Sequence, residues 1–252
     1  MNSAARGESV ETRKERVAQV ISRLRAAYPD AKIVLRYSNS WELLVSVILS
    51  AQCTDVMVNK VTERLFKKYS TLEDYVHADL STFEQDIKST GFYHNKAKNI
   101  LAAAKLIQEK FGSVIPRTMA EMLTIPGVAR KTANVVLGNA YSVVEGIAVD
   151  THVLRLSQRL RLVDLDTIGG KKEMHFTKPG FPEPKPGFKT EVDYKKDADP
   201  VKIERELMDV LPKEDWFQTT YLLINHGRAV CKAQNPDCSH CVLHRICPVS
   251  RV

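Results

Sequence analysis

The chain has 252 residues, 44% of them hydrophobic and 27% charged, which is enough for a substantial core and is the composition of an ordinary globular protein. A run of about 18 apolar residues is absent and residues 1–10 lack the apolar segment of a signal peptide, which argues against a membrane or secreted protein. The formal net charge of +7 and the pI of about 9.1 favour a polyanionic partner but do not prove one.

Helical periodicity dominates the first part of the chain. An amphipathic surface helix is predicted over residues 10–28, because its apolar side chains recur at helical spacing. Residues 43–50 are apolar on nearly every side, which is typical of a helix at the centre of a core. A third helix is predicted over residues 54–69, whose apolar residues share one face.

Capping boxes, in which a hydroxyl residue is followed three positions later by glutamate, mark further helix starts. Three such pairs follow along the chain: Ser70 with Glu73, Ser81 with Glu84, and Thr118 with Glu121. A helix with one buried stripe is predicted from the apolar residues Ile100, Ala104, Ile107 and Phe111. Alternation typical of strands is nowhere sustained, so the predicted class is all-α.

The segment at residues 167–200 interrupts this pattern. It contains four glycines, five prolines and seven lysines, with aromatic residues scattered among them at Phe176, Phe181, Phe188 and Tyr194. A helix cannot persist through such a sequence, which predicts either a mobile surface insertion or a loop with its own turns. Helical spacing returns at residues 201–211 and 216–224.

Residues 123–137 are predicted to form a helix, a tight hairpin and the start of a second helix. Pro126 disfavours a helical conformation at the residue before it, and Gly127 accepts backbone angles that other residues resist. Backbone amides at a tight turn and at a helix N-terminus form an anion site, which a phosphate fits. Lys131 lies at the start of the second helix, where the helix dipole disfavours an ammonium, and a neutral lysine is a nucleophile.

Four of the five cysteines lie close together near the end of the sequence, at Cys231, Cys238, Cys241 and Cys247. An odd total in a chain without a secretion signal argues against a disulfide framework and for a reducing compartment. Metal ligation is the common reason for such density, and the spacing alone fits both tetrahedral zinc and an iron–sulfur cluster. Cys53 lies far from the others, at the end of an apolar segment, and is predicted to be a core thiol.

Five segments of the chain, in the same order, resemble the endonuclease III family of DNA glycosylases. They are Ser50-Ala51-Gln52-Cys53-Thr54-Asp55, Gly91-Phe92-Tyr93-His94-Asn95-Lys96-Ala97, the hairpin segment at residues 123–137, Val149-Asp150-Thr151-His152, and the four clustered cysteines. The resemblance runs from about residue 15 to residue 248, apart from the insertion. Five ordered matches make it highly specific.

The resemblance implies an all-α fold of two helical domains with a DNA-binding cleft between them. One domain would be a six-helix barrel at residues 33–143, with a helix-hairpin-helix at about 119–140. The other would combine residues 1–32 with 144–252, contain the Pro/Gly/Lys-rich insertion, and carry a [4Fe–4S] cluster on the four clustered cysteines. The resemblance also implies double-stranded damaged DNA as the partner, a monomer, no membrane, and a cytoplasmic, nucleoid-associated location of bacterial type.

The implied activity is that of a bifunctional DNA glycosylase and AP lyase acting on oxidised pyrimidines in base excision repair. Lys131 would attack C1′ of the damaged nucleoside with the assistance of Asp150, and the resulting Schiff base would permit β-elimination on the 3′ side. Gln52 and Phe92 would enter the gap that the base leaves in the duplex. The implied phosphate contacts are the hairpin residues Gly127, Val128, Ala129, Arg130 and Thr132.

Two features depart from the family's pattern. Ala129 stands where a second glycine is usual, so the hairpin must either use backbone angles open to alanine or bind phosphate less closely. Residues 232–237 contain one lysine and one aspartate and are electrically neutral, whereas many relatives have a basic loop there. A DNA contact by this loop is therefore in doubt.

Two other functions remain open. A monofunctional mismatch glycosylase for thymine or adenine generally lacks a lysine at the hairpin position, so Lys131 argues against it. A non-catalytic helix-hairpin-helix module would bind DNA without needing Lys131 and Asp150 together. Asp150 taken alone is ambiguous, because an aspartate before a helix is more often an N-cap than a catalyst.

Overall fold

The computed structural model describes residues 9–175 and 192–250. The chain divides into two compact units. The first, which we call the hairpin unit, is Ile33–Glu145. The second, which we call the cysteine unit, combines Met1–Lys32 with Gly146–Val252, so it draws on both ends of the chain.

Within the described ranges the structure contains eleven α-helices and one pair of strands, which confirms the predicted all-α class. In chain order the elements are α1 (Val10–Ala27), α2 (Ser40–Leu49), α3 (Asp55–Lys68), α4 (Leu72–Val76), α5 (Leu80–Ile87), α6 (Tyr93–Phe111), α7 (Met119–Met122), α8 (Arg130–Tyr141), α9 (Thr151–Arg159), β1 (Lys171–His175), β2 (Val192–Lys196), α10 (Pro200–Val210) and α11 (Lys213–Ala229). A short 3-10 helix, Lys88–Thr90, lies between α5 and α6. Across the described ranges, none of these helices combines the length and apolar character that a membrane crossing requires.

Helix α2 lies in the core of the hairpin unit, as its apolar sequence predicts. Eight of its ten residues are buried. It contacts α3, α6 and α8, so apolar neighbours surround it. The first residues of α2 are held by Asn39, whose side chain accepts a hydrogen bond from the amide of Glu42 at 2.9 Å.

The predicted capping boxes are confirmed only in part. Thr118 accepts a hydrogen bond from the amide of Glu121 at 3.3 Å at the start of α7, as predicted. Helix α4 begins one residue later than predicted, because the capping box is formed by Thr71 with Asp74 and not from Ser70. Several acceptors follow one another in this sequence, and packing selects which of them caps the helix.

Helix α5 also begins at a different residue from the one predicted. Its N-cap is Asp79, whose carboxylate accepts a hydrogen bond from the amide of Thr82 at 2.9 Å. The box predicted at Ser81 is therefore wrong. Phe83, in the first turn of α5, is completely buried.

The cysteine unit has its own core. All four apolar residues predicted to face inward from α1 are buried, namely Val17, Val20, Ile21 and Leu24. They pack with apolar residues of α9, α10 and α11. Arg13 forms an ion pair with Glu206 at 3.0 Å, and Arg25 forms one with Asp215 at 2.5 Å. These contacts join the beginning of the chain to its last third.

The insertion predicted at residues 167–200 contains strands that its sequence did not predict. Strands β1 and β2 pair in antiparallel fashion, with Lys171 opposite Lys196. Gln158 of α9 binds the backbone of β2, because its Nε2 donates to the carbonyl of Lys195 at 3.3 Å and its Oε1 accepts from the Lys195 amide at 2.7 Å. Three of the scattered aromatic residues, Phe176, Phe181 and Phe188, lie outside the described residues.

Candidate functional site

A tight turn joins α7 to α8. Gly127 in this turn has a φ of +78°, in the left-handed region that favours glycine. A Cβ at this position would lie 2.9 Å from the Cβ of Asn99 in α6. The amide of Val128 donates to the carbonyl of Ile125 at 3.1 Å, and both of these side chains are buried. The turn therefore requires glycine twice, for its backbone angle and for the close approach of α6.

Ala129 is the N-cap residue of α8. Its φ of −98° and ψ of 172° are extended angles that any residue adopts, so the hairpin uses angles open to alanine. Alanine has no side-chain acceptor, whereas side chains cap the N-terminus of eight other helices. The start of α8 thus has backbone amides and the positive end of the helix dipole without a capping side chain from residue 129.

Lys131 and Thr132 lie in the first turn of α8 and are half-buried. The opposite face of the helix is fixed by Ala133, Val136 and Leu137, which are completely buried. Helix α8 is therefore held by its apolar face, while Lys131 stays partly accessible beside the turn.

Asp150 is the N-cap residue of α9, which is the ordinary role of an aspartate before a helix. Its Oδ1 accepts hydrogen bonds from the amides of His152 and Val153, both at 2.8 Å. In the described part of the chain its other oxygen, Oδ2, accepts no hydrogen bond. One carboxylate oxygen thus fixes the helix start, and the other retains its capacity to stabilise a positive charge.

Gln52 and Phe92 lie on two loops of the hairpin unit. Both are exposed, Phe92 to 64%. Both have left-handed backbone angles, with φ of +52° at Gln52 and +49° at Phe92. Such angles cost a residue other than glycine about 1–3 kcal/mol, and they persist only where the surroundings hold them, often at functional sites.

The four clustered cysteines line one cavity of the cysteine unit. All are partly exposed and carry free thiols. Nη1 of Arg159 lies 3.5 Å from Sγ of Cys231, and the amide of Leu243 lies 3.4 Å from Sγ of Cys241. Hydrogen-bond donors directed at sulfur are contacts that stabilise metal-bound thiolates.

Burial raises the pKa of the Cys241 thiol and raises that of Cys247 to about 12. A bound cation removes this penalty, because it deprotonates its thiol ligands. Within residues 9–175 and 192–250, no three His, Cys, Asp or Glu side chains are grouped to hold one metal ion. The donor set is four sulfurs around one shared cavity, and this set fits a thiolate-bound cluster.

Two buried arginines of α9 support the cysteines, and no pattern in the sequence predicted this role for them. Arg155 donates to the carbonyl of Cys231 at 3.1 Å, and Arg159 donates to the carbonyl of Lys232 at 2.7 Å. Their relative exposures are 8% and 1%. Their spacing of one helical turn was visible in the sequence, but exposed arginines have the same spacing. Helix α9 therefore begins at Asp150 and ends beside the first clustered cysteine.

The predicted site residues are divided between the two units. The hairpin unit contains Gln52, Phe92, Gly127, Val128, Ala129, Arg130, Lys131 and Thr132. The cysteine unit contains Asp150, Cys231, Cys238, Cys241 and Cys247. Cys53 is half-buried in the loop after α2 and is not the core thiol that was predicted, because the chain has already left the apolar helix at Leu49.

Comparison with known proteins identifies the family. The family model of HhH-GPD superfamily base excision DNA repair proteins matches residues 45–178. Endonuclease III of Synechocystis sp. is 42% identical over 237 residues, which cover 94% of this chain and 94% of that protein. Endonuclease III of Bacillus subtilis is 43% identical over 220 residues, covering 87% of this chain and 86% of that protein.

A solved structure of a trapped covalent intermediate of endonuclease III with DNA, an estranged-adenine complex, superposes with a TM-score of 0.78. The two chains are 39% identical, and the match covers 94% of this chain and 97% of the other. The sequence match and the structural match thus extend over nearly the whole length of both chains. The chain therefore belongs to the HhH-GPD superfamily of base excision DNA repair proteins and, within it, to the endonuclease III family.

Proposed function

We propose that this protein is a bifunctional DNA glycosylase and AP lyase of base excision repair, with oxidised pyrimidines in double-stranded DNA as its substrates. The observation that carries the proposal is the position of Lys131, half-buried in the first turn of α8 directly after the Gly127 turn. We also propose that the protein acts as a monomer and associates with the nucleoid. The net charge of +7 supports a polyanionic partner.

Lys131 is the proposed nucleophile. Its Nζ forms a bond to C1′ of the damaged nucleoside while the bond from C1′ to the base breaks, and the base leaves with that electron pair and takes up a proton. Opening of the sugar then gives a Schiff base between Nζ and C1′. Loss of a proton from C2′ is followed by cleavage of the bond from C3′ to its phosphate oxygen, which is the lyase step. The similarity to an endonuclease III that was trapped covalently on DNA supports this chemistry.

Asp150 is the proposed electrostatic partner. As the base departs, positive charge develops on the sugar, and an anion near that carbon lowers the energy of the transition state. The two amide bonds to Oδ1 of Asp150 fix the carboxylate without using Oδ2. A rigid carboxylate with one remaining oxygen suits this role, and the N-cap contacts supply the rigidity.

The hairpin is the proposed phosphate contact. The backbone amides of Gly127 and of residues 129–132 lie at a turn and at a helix N-terminus, where an anion is favoured, whereas the Val128 amide is bonded within the turn. Removal of a base from the stack leaves a gap in the duplex. Gln52 and Phe92 are the proposed gap-filling residues, because both are exposed and both are held in strained backbone conformations.

The four clustered cysteines are the proposed ligands of a [4Fe–4S] cluster. When bound, such a cluster joins four thiolates and so crosslinks the end of the chain. Arg155 and Arg159 hold the backbone beside Cys231 in place for this purpose. Because these arginines belong to α9, the cluster would also help to fix the position of that helix and of its N-cap residue, Asp150.

Borohydride trapping tests the proposed nucleophile. Borohydride reduces a Schiff base to a stable amine, so wild-type protein mixed with a duplex containing thymine glycol should yield a covalent protein–DNA adduct on a denaturing gel. Lys131→Ala should yield none. The matched control is Lys110→Ala, which removes an exposed lysine at the end of α6 and should leave the yield unchanged. A persistent adduct in Lys131→Ala contradicts the assignment, and base release without any wild-type adduct favours a monofunctional glycosylase.

A further inference from the structure

Lys96 is a buried lysine that the proposed chemistry does not use. It lies in the first turn of α6, and its relative exposure is 5%. Its Nζ donates to the carbonyl of Leu49 at 2.8 Å and to the carbonyl of Thr90 at 2.9 Å. Both acceptors are uncharged backbone groups, and in the described part of the chain Cys53 is the only titratable group whose charge interacts with that of Lys96. Burial lowers the pKa of Lys96, so this position is costly for an ammonium.

The two carbonyls lie at the ends of the elements that lead into the loops of Gln52 and Phe92. Leu49 is the last residue of α2, three residues before Gln52. Thr90 ends the 3-10 helix, two residues before Phe92. An ammonium at the C-terminal end of a helix satisfies a carbonyl that has no partner within the helix. Lys96 therefore connects the ends of two separate elements through a single side chain.

Lys96 also holds the Phe92 loop through its own backbone. Its amide donates to the carbonyl of Phe92 at 3.2 Å, as the first helical bond of α6. No side chain caps α6 at Phe92, unlike eight of the other described helices. Gly91 and Phe92 both have positive φ, +70° and +49°, so the chain turns sharply into the helix. The strained loop is thus held on its C-terminal side by Lys96, four residues after Phe92.

We propose that Lys96 is a positioning residue for base eversion, which sets the spacing between Gln52 and Phe92 by binding the backbone where each of the two loops begins. This inference rests on the proposed function, in which those two side chains fill the gap in the duplex. Its physical basis is that two strained, exposed side chains on different loops need a common support to enter one gap together. Lys96 does not contact DNA in this proposal, and it acts only through the two loops.

The test compares two activities of Lys96→Met, which keeps much of the side-chain volume and removes the donors. Release of a damaged base requires the base to be displaced from the stack while the gap is filled, whereas β-elimination at a preformed abasic site has no base to displace. We expect the single-turnover rate of base release to fall by about tenfold or more, because small misplacements of site residues have effects of this order. The rate of strand cleavage at a preformed abasic site should change by less than about twofold. The control is Lys105→Met, an exposed lysine of the same helix, which should change neither rate.

Coupling to the gap-filling residues separates positioning from general destabilisation. In a protein carrying Gln52→Ala and Phe92→Ala, adding Lys96→Met should reduce base release by less than about a further twofold, because the groups that it positions are gone. A further tenfold loss in that background overturns the proposal. Equal losses of base release and strand cleavage in Lys96→Met, or no loss of either, overturn it as well.

Two further controls keep the outcome decisive. If Lys96→Met does not fold, as judged by circular dichroism, Lys96→Arg keeps the charge but changes the length of the connection, and the same selective loss of base release is expected from it. Borohydride trapping of the wild-type protein on abasic DNA is independent of Lys96. Trapping without a selective effect at Lys96 refutes this inference alone, whereas absence of trapping refutes the proposed function.

Discussion

At the scale of single residues, the hairpin turn depends on two different properties of glycine. Gly127 has positive φ and also approaches Asn99 so closely that a Cβ would clash with it. Gly112, at the end of α6, has positive φ as well, at +58°, but a Cβ there would meet nothing within 4 Å. A comparison of Gly112 with Gly127 therefore separates the cost of the left-handed backbone angle from the cost of a clash with Asn99.

Replacing each glycine by alanine tests this separation. Gly112→Ala should lower the free energy of unfolding by about 1–2 kcal/mol, the cost of a left-handed angle for a residue with a Cβ. Gly127→Ala should lower it by about 2–4 kcal/mol, because overpacking against Asn99 adds to the angle. Thermal or urea denaturation of both variants measures the difference. Equal destabilisation by the two substitutions would show that α6 can move away from the turn at no cost.

The sequence predicted the turn at this scale, because proline and glycine act locally. The short helix was predicted to begin at residue 123, but α7 has already ended at Met122, so Pro126 disfavours a helix at Ile125 without setting the end of α7. The angles of Ala129 could not be predicted, since they depend on how the turn is closed. The role of Lys96 could not be predicted either, because a lysine is ordinarily exposed. Its two carbonyl partners belong to Leu49 and Thr90, which only the fold brings together.

At the scale of elements, one side chain of a helix bonds to the pair of strands in the insertion. Gln158 is completely buried, and it bonds to both the amide and the carbonyl of Lys195. Gln158 thereby makes with Lys195 the two backbone hydrogen bonds that a neighbouring strand would otherwise make. The next residue on the N-terminal side, Ser157, is equally buried, but its hydroxyl has no hydrogen-bond partner in the described part of the chain.

Gln158→Leu should therefore loosen β2 while leaving α9 intact. Loss of the two bonds leaves the amide of Lys195 unprotected, so its hydrogen exchange should accelerate, as hydrogen-exchange mass spectrometry of this segment would detect. Ser157→Ala is the matched control on the same helix, and it should leave exchange in β2 unchanged because it removes no bond there. Unaltered exchange at Lys195 in Gln158→Leu would mean that β1 alone holds β2.

Sequence patterns were less informative for elements than for residues. The apolar residues of α1 and α2 predicted buried helices because hydrophobic periodicity records burial directly. Start positions were less predictable, since Thr71 and Asp79 competed with Ser70 and Ser81 as caps within a few residues. The strands β1 and β2 have five residues each, and Gln158 from outside the insertion helps to hold β2, so no local pattern specified them.

At the scale of the whole molecule, the two units have separate cores and separate candidate chemistry. The four clustered cysteines lie in the cysteine unit, and Cys53 lies in the hairpin unit. A metal-bound crosslink among the clustered cysteines should therefore stabilise one unit more than the other. The spacing of the four cysteines fits either zinc or a [4Fe–4S] cluster, because both kinds of site accept four thiolates. The prediction of a [4Fe–4S] cluster therefore rests on the resemblance to a known family.

Cys238→Ala should lose the bound iron together with the visible absorption near about 400 nm that is typical of such clusters. Amide exchange should then accelerate in the cysteine unit, while the hairpin unit keeps its protection. Cys53→Ala is the control and should retain iron, because its thiol lies in the other unit. Iron analysis and exchange measurements decide the matter. Stoichiometric zinc in protein made under iron-replete conditions would contradict the cluster.

Because the cysteine unit is built from two separated segments of the sequence, it cannot close until both have been synthesised. Helix α1 precedes the hairpin unit in the sequence, whereas its partners α10 and α11 follow it. Domains generally fold as units during synthesis. We therefore expect the hairpin unit to fold before α10 and α11 are available to pack against α1. Closing of the unit that contains Asp150 thus requires synthesis to have passed the four clustered cysteines.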